Sequence, residues 1–253
     1  MISLAATGLT KTFEDAQRGT VTVFEDLTLT FEAGAFSTVM GPSGCGKTTL
    51  LNVFAGLVEP DAGRVSVDGE RVEPGDFSFA YVFQEPRLLD WKTVGENVAF
   101  ALRASGVPES ERDAIVDDVL ALVGLREEID TYPLRLSGGM RQRVGLARAL
   151  AVEPDVLLMD EPFSELDELT ARRLRDDLLD LWQETGKTIV FVTHDVGEAV
   201  FLSDAVYFLN ERGELFEEAT VPVGRPRTFG DPDLDEVERQ LTETFFENVT
   251  NRV

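Results

Sequence analysis

Apolar residues recur along this chain in two rhythms, and the rhythm switches several times. Near the start the runs are short and β-like. Val21-Thr22-Val23-Phe24 is followed by Leu27-Thr28-Leu29-Thr30-Phe31, which alternates with period two. Residues 4–31 therefore read as strands around a polar stretch at 14–20. Residues 36–40 are β-rich, and Arg64-Val65-Ser66-Val67-Asp68-Gly69 reads as a strand running into a turn. Residues 79–83, 156–159 and 188–192 are continuous apolar runs, the pattern of strands buried on both faces, and 206–209 is the last clear strand.

Between these runs the period lengthens. Residues 49–55 and 95–104 read as helices. Residues 109–123 form a stronger one, started by Pro108 and ended by Gly124, with Ile115, Val119 and Leu122 on one face. Residues 132–136 read as a loop. Ser137-Gly138-Gly139 then opens a helix with Met140, Val144, Ala147 and Leu150 on one side. Residues 169–184 point Leu174, Leu178 and Leu181 inward and stop at Gly186. After a Pro/Gly/Arg segment at 222–226 comes an amphipathic stretch with Leu234, Val237, Leu241 and Phe245. Strands alternating with helices predict an α/β fold, without internal repeats or a coiled coil.

With 253 residues the chain is long enough for a full core, as one large domain or a domain with a subdomain. No apolar run approaches bilayer length, and the first residues lack the basic flank of a signal peptide. A single cysteine, Cys45, excludes an internal disulfide and fits a reducing cytoplasm. The net charge of −24, with lysine limited to Lys11, Lys47, Lys92 and Lys187, argues against nucleic-acid binding. The acidic residues are spread along the whole chain. That fits a surface adapted to high salt, with an ordinary acidic cytosolic protein as the other reading.

The chemistry concentrates in Gly41-Pro42-Ser43-Gly44-Cys45-Gly46-Lys47-Thr48-Thr49, which fits G-x-x-x-x-G-K-[ST] between a strand and a helix. Glycines let consecutive N–H groups curl toward one anion at a helix N-terminus. Lys47 would reach β- and γ-phosphates, and the Thr48 hydroxyl would ligate Mg²⁺. Cys45, at that helix start, is either packing filler or a thiol of lowered pKa. Three further polar groups end buried runs. Gln84 follows 79–83, Asp160-Glu161 follows 156–159, and His194, the sole histidine, follows 188–192. Buried acids there call for a cation or a proton to act on. Ser137-Gly138-Gly139 is a second glycine-preceded helix start, hence a second candidate anion site. Phe13 is either an exposed stacking platform or a core residue.

Taken in order, these stretches resemble the nucleotide-binding subunit of ATP-binding cassette (ABC) transporters. The set comprises the phosphate loop, Gln84, Leu136-Ser137-Gly138-Gly139-Met140-Arg141-Gln142-Arg143, the strand ending Asp160-Glu161-Pro162, Ser164-Glu165-Leu166-Asp167, and His194. The resemblance implies one nucleotide-binding domain over residues 1–253. Residues 1–85 and 151–216 would form a phosphate-loop NTPase (RecA-like) core sheet with an N-terminal antiparallel β subdomain. Residues 86–150 would form a helical insert subdomain, and 217–253 a short C-terminal tail. It implies ATP and Mg²⁺ as cofactors. Phe13 would stack on adenine, and Gly41, Pro42, Ser43, Gly44, Cys45, Gly46, Lys47, Thr48 and Thr49 would hold the phosphates. Thr48, Gln84 and Asp160 would bind Mg²⁺, Glu161 would be the general base, and His194 would steady the γ-phosphate. Ser137, Gly138, Gly139 and Asp167 would act across a head-to-tail dimer.

At finer grain, Phe83-Gln84-Glu85-Pro86-Arg87-Leu88-Leu89, Trp91, the helix from Met140 to Leu150 and Arg225-Pro226-Arg227 look like the nitrate/sulfonate/taurine importer group. That implies transmembrane permease subunits, an external solute-binding protein and a place on the cytoplasmic face of the membrane. Pro86 to Trp91 would help form the groove for the permease. Glu165 stands where the family usually has alanine, and Asp90 replaces a common proline. The competing readings are a soluble ABC-type ATPase acting on nucleic acid or ribosomes and an ATP-binding regulatory module without turnover. The short insert, single cassette and acidic charge disfavour the first, and the intact Asp160-Glu161 and His194 disfavour the second.

Overall fold

The computed structural model describes residues 1–17, 19–71 and 78–250. In chain order the elements are β1 (Leu4–Asp15), β2 (Gly19–Phe31), β3 (Phe36–Met40), α1 (Lys47–Phe54), β4 (Ala62–Val67), β5 (Glu70–Arg71), β6 (Phe79–Val82), α2 (Val94–Ala104), α3 (Glu109–Leu122), α4 (Gly138–Ala151), β7 (Val156–Asp160), α5 (Glu168–Thr185), β8 (Thr188–Val192), α6 (Val196–Leu202), β9 (Ala205–Leu209), β10 (Leu215–Thr220) and α7 (Pro232–Thr250). They fall into two compact units, Met1–Phe77 with Gly186–Val253, and Ser78–Thr185.

The first unit holds an antiparallel sheet in the order β2-β1-β4-β5 and the strand series β10-β9-β3-β8, in which β3 runs parallel to both β8 and β9. Every residue of β3 and β8 is buried, which is why their sequences are uninterrupted apolar runs. Phe31 meets Phe54 and Tyr207 edge-on, at centroid distances of 5.5 and 5.1 Å, and the Tyr207 hydroxyl donates to Thr30 O at 2.6 Å. The two runs expected at 21–31 are one strand. A bulge separates them: Asp26 has φ 54, its amide donates to Thr10 Oγ1, and the β1 register shifts between Leu9 and Lys11.

β10 was not expected. It is an edge strand of sequence LFEEAT with no fully buried residue, so its hydrophobic signal is weak. The C-terminal helix does bury Leu234 and Leu241 as the spacing requires. Ahead of it, Arg227 is 7 % exposed and donates to the carbonyls of Val200, Phe201, Ser203 and Val223, closing the C-terminal end of α6. Arg225 bonds Asp204 and the Leu202 carbonyl. Burial lowers the Arg227 pKa to about 10, so the guanidinium stays charged at neutral pH.

The second unit pairs β6 with β7 in parallel and gathers α2, α3 and β6 around α4. It reaches beyond residues 86–150 on both sides because the β6–β7 ladder, the Ser78–Asp155 hydrogen bonds and a Gln142–Phe83 bond tie the flanking segments to the helices. β6 departs from its double-buried expectation: Phe79 and Tyr81 are only half-buried, since β6 ends the strand order. In α3 the inward residues are Val116 and Leu120, followed by Val123 just past its end, rather than Ile115, Val119 and Leu122. Both stripes are apolar, one residue apart, and packing against α2 and α4 selects between them. α2 opens with a capping box, Thr93 with Glu96. Asn97, 0 % exposed, bonds Leu89 N at 2.8 Å and the carbonyls of Leu89, Lys92 and Thr93. Among the described residues no helix is long and apolar enough to cross a membrane.

Candidate active site

In the first unit, β3 delivers the chain into the phosphate loop and α1 takes it out. Gly44 (φ 83) and Gly46 (φ 104) are in the left-handed region, which a side chain would resist, and Gly46 is the N-cap of α1. α1 has no side-chain cap and no acidic residue in its first turn, which leaves its first amides to an anion. The Lys47 side chain folds back over the loop, with Nζ 2.8 Å from Gly41 O and 3.0 Å from Pro42 O, and is 7 % exposed. An ammonium held over a ring of amides fits a polyphosphate by charge and donor set. Ser43, Gly44 and Thr48 are exposed, and Pro42 and Thr49 are half-buried.

Cys45 is packing. It is 2 % exposed, and burial pushes its thiol up more strongly than Lys47 pulls it down. A Cβ on Gly41 would lie 2.6 Å from its sulfur. Of the two readings of Cys45, packing filler holds and the lowered pKa does not, because desolvation outweighs the Lys47 charge and the local backbone hydrogen bonds.

A Cβ on Gly46 would lie 2.4 Å from Val23 on β2, so the loop abuts the antiparallel sheet. In that sheet β2 pairs with β1, setting Phe13 opposite Val21. Phe13 is 44 % exposed, which removes the core reading of this residue. His194, also exposed, sits at the bend between β8 and α6. Its neighbours are fixed: Thr193 Oγ1 donates to Glu198 Oε2 at 2.7 Å, and Asp195 caps α6 by accepting from Glu198 N at 2.9 Å.

In the second unit, β7 ends at Asp160, which is 3 % exposed. Glu161 follows in a strained backbone state, φ 45, and its carbonyl accepts from Ser164 Oγ at 3.0 Å. The buried Tyr81 hydroxyl lies beside the Asp160 carboxylate. Burial first, then that negative charge, pushes its pKa up. Tyr81 stacks on Phe83 at 4.2 Å, and the Arg87 guanidinium sits 4.3 Å from the Phe83 centroid.

Gln84 is exposed in the turn just beyond β6. Two residues of α4 that carried no expected role hold that turn. Gln142, 1 % exposed, donates to Phe83 O at 3.1 Å. Arg148 donates to Pro86 O at 2.8 Å and Arg87 O at 3.0 Å. Their signal in the sequence was polar side chains within a helix that is buried on most sides.

Ser137 is the N-cap of α4, its hydroxyl accepting from Met140 N at 3.2 Å. A Cβ on Gly139 would press on Glu165 O at 3.3 Å and Leu166 Cδ2 at 3.1 Å, so glycine lets the start of α4 lie against the segment before α5. Asp167, fully exposed, accepts from Thr170 N at 3.1 Å, and its bonds to Thr170 hold its carboxyl below the usual range.

A phosphate loop after a buried parallel strand, with acids ending another such strand, defines a phosphate-loop ATPase. Residues 24–164 match the ABC transporter family, and the chain belongs to that family as an ATP-binding, ATP-hydrolysing subunit. It is 45 % identical over 227 residues to an uncharacterised ABC transporter ATP-binding protein of Methanocaldococcus jannaschii, covering 89 % of this chain and 85 % of that protein. It is 42 % identical over 257 residues to the taurine import ATP-binding protein of Pseudomonas aeruginosa, covering 98 % of this chain and 97 % of that protein. Among solved structures, the ATP-binding cassette MJ0796, a dimer in a post-hydrolysis state bound to ADP and phosphate, matches with a TM-score of 0.80 at 30 % identity. That match covers 87 % of this chain and 100 % of the other.

Proposed function

We propose that this chain powers an importer of a small solute of the taurine, sulfonate or nitrate kind, as a cassette dimer attached to permease subunits at the cytoplasmic face of the membrane. The observation that carries the proposal is near end-to-end identity with taurine import ATP-binding proteins, 42 % over 98 % of the chain. The relatives named above are transport proteins and lend no support to the alternative of a nucleic-acid- or ribosome-directed ATPase. An external solute-binding protein would bring the cargo.

The residue roles are those that the family resemblance carries onto the matching positions of this chain. Phe13 offers its exposed ring to adenine. The amides from Gly41 to Thr49 and the Lys47 ammonium bind and orient the phosphates. Thr48, Asp160 and Gln84 would hold Mg²⁺, which would neutralise charge on the phosphate oxygens. Glu161 takes the proton of the attacking water, His194 orients the γ-phosphate, and Ser137, Gly138, Gly139 and Asp167 act on the partner's nucleotide. Splitting the machinery between two chains makes hydrolysis wait for dimer closure.

Glu161→Gln tests this. It should keep ATP affinity while turnover falls roughly 10²–10⁴-fold. Near-normal phosphate release in this variant would remove Glu161 from the base role. The same variant, pulled down with ATP from native membranes, should bring a multi-spanning permease; ribosomal or DNA-associated partners alone would overturn the transport reading. The acidic surface we assign to a high-salt environment.

A further inference from the structure

The ring of Phe13 carries a cation. Lys11, two residues earlier on β1, shares its face of the strand, and the Lys11 ammonium lies 5.2 Å from the ring centroid. Asp61, just before β4, fixes that ammonium. Its carboxylate accepts from Lys11 Nζ at 3.0 Å, from Thr12 N at 2.6 Å and from Thr12 Oγ1 at 2.8 Å, while its own amide donates to Thr10 O at 2.8 Å. The Lys11 side chain is 14 % exposed although Phe13 is 44 % exposed. Lysine is rare in this chain, and of its four, Lys47 serves the phosphates and Lys11 this ring.

We propose that Lys11, held by Asp61, is a positioning residue for the purine base, acting through the ring of Phe13. This rests on the reading of Phe13 as the adenine platform. A cation over one face of a phenyl ring draws π density toward itself. The other face then stacks more favourably on an electron-rich purine. The ammonium also closes one face, so the base has a single face to use. The staple to Asp61 keeps Lys11 there when no nucleotide is present.

The test compares ADP with inorganic tripolyphosphate, which has no base, by calorimetry on the purified chain. Lys11→Met should weaken ADP about two- to fivefold, a fraction of the worth of one base–aromatic stack, and leave tripolyphosphate unchanged. Asp61→Asn should weaken ADP by a smaller factor, and Lys11→Arg should keep wild-type affinity. In a Phe13→Ala background Lys11→Met should have no effect on ADP, because the ring that transmits it is gone. Equal losses for ADP and tripolyphosphate would overturn the proposal, as would unchanged ADP affinity or a full Lys11 effect without Phe13. Wild-type protein that binds neither ligand would overturn the nucleotide site itself, a result separate from the base-selective loss.

Discussion

At the scale of single residues, some groups are held away from their ordinary states. Asp61 is the clearest case: the Thr12 hydroxyl, then Lys11 and the Thr12 amide, pull its carboxyl from 3.8 down to about 2. A carboxyl lowered in the folded state binds fewer protons there than in the unfolded chain. Its contribution is therefore full above the unfolded value and is lost as pH falls from about 4 toward 2. In urea titrations the stability gap between wild type and Asp61→Asn should stay constant from pH 7 to 5 and close below pH 4. A gap independent of pH down to 3 would contradict this. Glu161 illustrates a different device. Its φ of 45 stores backbone strain directly after a buried strand, where the neighbouring fold overrides the local preference. Glu161 was legible in the sequence as an acid ending a buried run, but its strain and the Asp61 staple were not, because each depends on partners outside the local window.

At the scale of elements, arginines fasten irregular segments to helices. Arg227 closes the last carbonyls of α6, and Arg148 fastens the Gln84 turn to α4. Removing either leaves carbonyls without a charged donor. Arg227→Ala should cost about 3 kcal/mol and Arg148→Ala about 2 kcal/mol, read as lower midpoints in thermal or urea unfolding. Arg148→Ala should in addition speed hydrogen exchange in residues 84–89, which Arg227→Ala should leave unchanged. The pattern of apolar positions located β3, β7 and β8 closely, because each is buried along its whole length, and it located α4 by the buried face from Val144 to Ala151. It misjudged the face of α3, where two adjacent apolar stripes compete, and it passed over β10, whose edge position needs little apolar surface. Periodicity reports burial, so an element with two apolar faces or almost none gives it little to report.

At the scale of the whole molecule, 47 acidic residues stand against 23 basic ones. Such a surface repels itself, and salt screens the repulsion over a Debye length of about 8–10 Å near physiological ionic strength and about 3 Å at 1 M. The melting temperature should therefore rise steadily with KCl; a flat or falling response would refute the salt-adapted surface. The sequence by itself determined the α/β class, the phosphate loop, the acids and histidine at strand ends, and membership of the ABC family, because these depend on residue type at short, fixed spacing. Only the tertiary structure decided that Cys45 is inert, that Phe13 is exposed beneath a lysine, and that Gln142 and Arg148 grip the turn carrying Gln84. Those outcomes depend on desolvation and on hydrogen bonds between residues as much as 62 positions apart, which no local pattern encodes.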